Sequence, residues 1–248
     1  MADSPTASAL KERFAGFDKA APPSRFALGP ERLDAMLGGG LARARLHEAW
    51  PADAADRASA MGFALMLAIR AAAEGTIAWI AQDEGRAGIG PLYPPGLAEL
   101  GVDPGRFLFV IAPDEKALLR AAGDIVRSPA IGSAVIAPAR RTRGFTLTAT
   151  RRLTLFAEQS GVTAILLRGA DPEAPSAAAT RWRIAAAPSR LLEAEAPGFP
   201  ALVADLVRQR AGAPSSGWRL EWHRDDARFA PLPRGLSADA GGGLLARA

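Results

Sequence analysis

Apolar positions recur at two periods along this chain, and their alternation sets the expected architecture. Across residues 59–73, Met61, Ala64, Leu65, Ala68 and Ile69 return at every third or fourth position, the pattern of a helix with one buried face. Short apolar runs at 76–81, 107–111, 133–137 and 162–167 read instead as buried strands, and 45–50 reads as a strand ahead of the first long helix. Residues 97–100, 115–127 and 147–160 fill the gaps between the strands as helices. Strand and helix alternating at this spacing predict a mostly parallel sheet with helices on both faces and right-handed crossovers. After Ala170 the pattern changes. Arg181-Trp182-Arg183-Ile184 alternates, as does 218–223, with 201–210 between them, which predicts an antiparallel meander finishing the sheet.

The two ends are polar. Residues 1–24 close on Ala21-Pro22-Pro23-Ser24 and read as an arm, with a short amphipathic helix at 10–17. The core domain is expected over 25–224. Residues 225–248, which include Gly241-Gly242-Gly243, are expected to be a flexible tail. Gly38-Gly39-Gly40 breaks the chain after a short helical turn at 33–37.

Composition narrows the chemistry. The chain of 248 residues is 49% hydrophobic but only 6% aromatic, so its core is built from small and aliphatic side chains. It has no cysteine, which excludes disulfides, thiolate metal sites and a cysteine nucleophile. His47 and His223 are its two histidines, too few for a multi-histidine metal centre. No run reaches transmembrane length, and a soluble, cytoplasmic protein is expected. The net charge is +4, from 30 basic and 26 acidic residues, and lysine occurs at positions 11, 19 and 116 alone. Between Asp124 and Glu158 there is no acid, yet Arg127, Arg140, Arg141, Arg143, Arg151 and Arg152 all lie there. That stretch is a local basic field.

The order of elements carries a resemblance. Phe26-Ala27-Leu28-Gly29, Leu33-Asp34, Leu37-Gly38-Gly39-Gly40-Leu41 and Leu46-His47-Glu48-Ala49-Trp50 resemble the approach to the phosphate-binding loop of a RecA-type core. Leu100-Gly101-Val102-Asp103, Arg151-Arg152-Leu153, the Arg208-Gln209-Arg210 turn and Leu220-Glu221-Trp222 continue the match, which spans about residues 25–224. Among RecA-like proteins the combination is most similar to the ImuA family, accessory proteins of the bacterial SOS mutagenesis cassette. The resemblance implies a RecA-like α/β fold and three partners: ImuB, a damage-inducible DNA polymerase subunit, and RecA.

The nucleotide machinery of that fold does not carry over. A phosphate loop needs glycines so that its amides can converge on the anion, then a Lys and a Ser or Thr. Here the stretch is Pro51-Ala52-Asp53-Ala54-Ala55-Asp56-Arg57-Ala58-Ser59, without glycine or lysine. Asp53 and Asp56 would set negative charge against a triphosphate, and Asp56 reads as a helix N-cap. Arg57 stands about where the lysine belongs. The strand at 133–137 runs into Pro138 with no metal-binding acid, and 162–167 ends in Arg168-Gly169 where a phosphate-sensing Gln is expected. Asp83 and Glu84 alone occupy the family's position for a water-activating carboxylate. A RecA fold without nucleotide, metal or catalytic residues is the expectation.

Other candidates concern partners. Arg140, Arg141, Arg143, Arg151 and Arg152 fall where the family places its first DNA-contacting loop and could neutralise phosphates. The second such loop, 168–181, contains Asp171 and Glu173 and no aromatic for base stacking. Phe17 and Ala20 have the Phe-x-x-Ala spacing of a subunit-docking arm. Trp218 and Trp222 share a strand face, as core or as a partner surface. Two other functions stay open from sequence: a divergent DNA-dependent ATPase of the RecA type, and an SOS cell-division inhibitor.

Overall fold

The computed structural model describes residues 23–83, 92–139, 143–169, 175–196, 198–210 and 212–232. Calls on the arm residues Phe17 and Ala20, on Glu84, on Arg140 and Arg141, and on Asp171 and Glu173 lie outside them. The parallel strands are β3 (Leu46–Pro51), β4 (Thr76–Gln82), β5 (Phe107–Ala112), β6 (Ile131–Ala137) and β7 (Thr163–Leu167). A meander follows in β8 (Thr180–Ala186), β9 (Ala201–Gln209), β10 (Ser215–His223) and β11 (Arg228–Pro231). These nine strands form one sheet in the order β11-β10-β9-β8-β3-β7-β6-β4-β5. Parallel pairing runs from β8 through to β5, and antiparallel pairing from β8 to β11. A separate ribbon pairs β1 (Arg25–Phe26) with β2 (Leu41–Ala42), across the short helix α1 (Glu31–Met36).

The remaining helices make the outer layers: α2 (Arg57–Ala72), α3 (Pro94–Glu99), α4 (Glu115–Val126) and α5 (Leu147–Ser160). Period-two alternation sorts the strand residues into two cores. Ile77, Trp79, Val135, Ile165 and Leu167 face α2, while Ala78, Ile80, Ala134, Ile136, Ala164 and Leu166 face α4 and α5. Helix α2 is buried along most of its length, so its apolar stripe was only part of its packing surface. Among the described residues no helix is long and apolar enough to cross a membrane.

The C-terminal end corrects the expected tail. Residues 228–231 form β11, and Phe229 is buried against Phe63 and Trp222 with ring centroids 5.7 and 5.0 Å away. The Phe229 amide donates to Leu28 O at 2.9 Å. Gly29, at φ +131°, comes so close to β11 that a Cβ there would lie 2.1 Å from Phe229 O. The core therefore runs on to Leu232, itself buried.

The paired tryptophans take the first of the two readings their spacing allows, that of core residues. Trp218, Leu220 and Trp222 do share one face, but that face is the core. Trp222 is fully buried and its indole N–H donates to Leu100 O at 2.9 Å, so it has no surface to offer a partner. Trp218 is half-buried and donates to Ser215 Oγ at 3.0 Å.

Candidate functional site

In an open α/β sheet, ligands bind beyond the carboxyl ends of the parallel strands, where strand order reverses. The chain leaves β3 through the loop 51–57, which brings Pro51, Asp53, Asp56, Arg57 and Ser59 together at the start of α2. What this loop offers an anion depends on where its amides go. Pro51 has none. Ala52 donates to Ile184 O at 2.7 Å, and Asp56 to Asp53 O at 3.2 Å. Ala55 donates to Asp53 Oδ1 at 2.8 Å, and Asp53 donates to Asp56 Oδ2 at 3.3 Å. Asp53 and Asp56 thus close a reciprocal capping box around a single 3-10 turn, Ala54–Asp56.

Asp56 holds the N-cap position of α2, as the sequence reading has it, but its side chain makes no capping bond to that helix; Asp53 supplies the capping oxygen of the 3-10 turn ahead of it. The other Asp56 oxygen, Oδ1, accepts the Ala186 amide at 2.7 Å and ties the loop to the end of β8. The residues present do not fit a nucleotide triphosphate. Four amides of the loop are committed to the protein itself, and the loop carries two carboxylates that would repel phosphate charge.

The neighbouring strand ends carry bonds of their own. Beyond β6, Ala139 donates its amide to Gln82 Oε1 at 3.2 Å. Asp83 is exposed, and its amide donates to Ala112 O at 2.8 Å. Among the described residues no group of three or more His, Cys, Asp or Glu is placed to hold a metal ion.

Arg168 does not face the strand ends. It is buried and turns under the sheet to Glu48, whose carboxylate lies on the α5 face of β3. Glu48 is fully buried and accepts from Arg168 Nη2 at 3.0 Å, Ser176 Oγ at 2.6 Å and Arg181 Nε at 3.0 Å. Arg168 also donates to Phe145 O at 3.1 Å, just ahead of α5. One carboxylate therefore gathers the exit of β7, the approach to β8 and the start of α5. Sequence reading missed it, although an acid between Leu46 and Ala49 in a buried strand is a visible signal.

His47 points to the opposite face. Its Nε2–H donates to Ala42 O at 2.9 Å, which leaves Nδ1 to accept from the Thr180 hydroxyl at 2.7 Å. Thr180 Oγ1 accepts in turn from the Trp182 indole at 2.8 Å. The neutral ring is thus fully satisfied. Burial holds its pKa down at about 4; the Ala42 carbonyl opposes this, while Arg45 and Arg25 add to it.

The basic run is divided by the fold. Arg143 is exposed in the loop ahead of α5, and Arg151 and Arg152 are exposed on that helix. Arg152 faces α4, where it meets Lys116, Arg120 and Arg127 along a shared groove. The α4 residues recur at four and seven, a spacing that sequence reading had available and did not use.

No family model matches the chain. Protein ImuA of Caulobacter vibrioides strain NA1000 is 31% identical over 228 residues, covering 86% of this chain and 88% of its own. The ImuA protein of a second strain of that species matches equally, at 31%. The chain belongs to the ImuA family. Among solved structures, the RadB recombinase superposes with a TM-score of 0.55, covering 84% of this ImuA-family chain and 100% of its own, at 16% identity. The shared element is the fold, a RecA-like α/β sheet with a C-terminal antiparallel meander, as the order of sequence elements implied.

Proposed function

We propose that this ImuA-family chain is a non-enzymatic, RecA-like accessory of damage-induced mutagenic translesion DNA synthesis. It works through protein contacts with ImuB, a damage-inducible polymerase subunit and RecA, and it does so without ATP hydrolysis. The observation that carries the reading is the phosphate loop closed by Asp53 and Asp56 in a chain that otherwise keeps a recombinase-like fold. The edge of the sheet adds support. Strand β5 ends the sheet with Leu108, Phe109 and Ile111 exposed, an open apolar edge of the kind that partners cover.

A pairwise pull-down tests this. ImuB is expected to retain the protein with or without ATP; loss of binding, or binding only with ATP, would favour a nucleotide-driven machine. ATP-dependent thermal stabilisation would indicate the ATPase alternative, and co-purification with a division protein rather than ImuB the inhibitor.

The arm supplies a sharper prediction for RecA. A buried aromatic anchor is commonly worth about 2 kcal/mol or more at such contacts. Phe17→Ala is therefore expected to weaken RecA association at least roughly tenfold while leaving the unfolding midpoint of the core unchanged. Equal RecA affinity in surface plasmon resonance would remove the arm from the mechanism.

A further inference from the structure

A groove of about 260 Å3 runs between α4 and α5 on the outer helical layer, away from the closed loop. Its floor is apolar, made by Leu119 and Gly123 from α4 with Leu153 and Phe156 from α5. Around it stand Lys116, Arg120, Arg127 and Arg152, against one carboxylate, Asp124. That carboxylate is already engaged, since Arg127 Nη2 lies 2.5 Å from Asp124 Oδ1. Arg127 is fixed further by donating to Gly123 O at 3.1 Å and by lying over the Phe156 ring, 4.6 Å from its centroid.

Lys116, Arg120 and Arg152 differ from Arg127. All three are exposed, and among the described residues none is in an ion pair with a carboxylate. Like charges gathered around one concavity repel, and an anionic occupant relieves that repulsion. The floor decides between anions. A phosphate backbone would meet the cations but gain nothing from Leu119 and Leu153, and a stacked base needs an open aromatic face. The face of Phe156 is covered by the Arg127 guanidinium. An acidic peptide with one aliphatic or aromatic anchor satisfies both the rim and the floor.

We propose that the α4–α5 groove is a docking site for an acidic segment of a partner protein. Its apolar anchor sits over Leu119, Gly123 and Leu153, and its carboxylates meet Lys116, Arg120 and Arg152. The inference stands apart from the nucleotide question and from the identity of any partner.

Phage-displayed random dodecapeptides panned on the full-length protein at low salt provide the test. Recovered peptides are expected to be net acidic and to contain a large apolar residue. A fluorescein-labelled peptide from that pool should bind at least about tenfold more weakly to the Lys116→Glu, Arg120→Glu double variant. Arg152→Glu, on the other helix, should give a loss of the same kind, and all three side chains are exposed, so folding is expected to persist. A pool that is empty, neutral or basic, or peptides that bind the wild type and both variants equally, would overturn the proposal. So would a labelled oligo-dT strand that displaces the peptide and loses affinity in the same variants, which would assign the groove to nucleic acid.

Discussion

Replacing Glu48 with alanine is expected to destabilise the fold by about 3–5 kcal/mol, the usual cost of breaking a buried ion pair from one side. The magnitude follows from what the change leaves behind. Arg168 and Arg181 would keep guanidinium groups in a buried site with no carboxylate, and the Ser176 hydroxyl would lose its acceptor. A domain of this size shifts its midpoint by about 2–4 °C per kcal/mol, so thermal unfolding should begin roughly 10 °C lower. Combining Glu48→Ala with Arg168→Met should recover part of the loss, because it removes one of the stranded charges. A midpoint within about 2 °C of wild type in the single variant would show that the cluster contributes little. Such a cluster also bears on function. It fixes the chain on both sides of the segment between β7 and β8 through contacts internal to the protein.

A fall in stability of about 3 kcal/mol between pH 6.5 and pH 4 is expected from His47 alone. The unfolded ring takes up a proton near its ordinary value of 6.5, whereas the buried ring resists until about 4. In that window the unfolded state binds more protons, so stability rises with pH. The contribution is complete above 6.5 and gone below about 4. Urea unfolding at stepped pH measures it, with His47→Gln as the reference that lacks the titration. If wild type and variant lose stability in parallel through this window, the ring is not the neutral hydrogen-bonded group described above.

The parallel core was legible because β3, β4, β6 and β7 are largely buried on both faces and so read as continuous apolar runs; the helix at 147–160 matched to the residue. Strands β1, β2 and β11 were not, since two to four residues are too few to show a period. Phe229 illustrates the cause: its burial depends on a turn at 224–227 that folds it back against Phe63 and Trp222. The lack of glycine and lysine in the loop at 51–59 is plain in the sequence. The closure of that loop was half-legible, as Asp53 and Asp56 have the three-residue spacing of a capping box. The contact from Asp56 to Ala186, 130 residues away, could not be read. Nor could the partners of Glu48, which lie 120 to 133 residues further along the chain.

The proposed function rests on Asp53 and Asp56 holding the loop after β3 closed against nucleotide phosphates. Calorimetric titration of full-length protein with magnesium and ATP tests it most directly. No heat beyond dilution is expected at nucleotide concentrations up to about 1 mM, where binding would already be worth about 4 kcal/mol. A saturable isotherm with a micromolar Kd would contradict the claim, because Asp53 and Asp56 would then have to release the loop for phosphate.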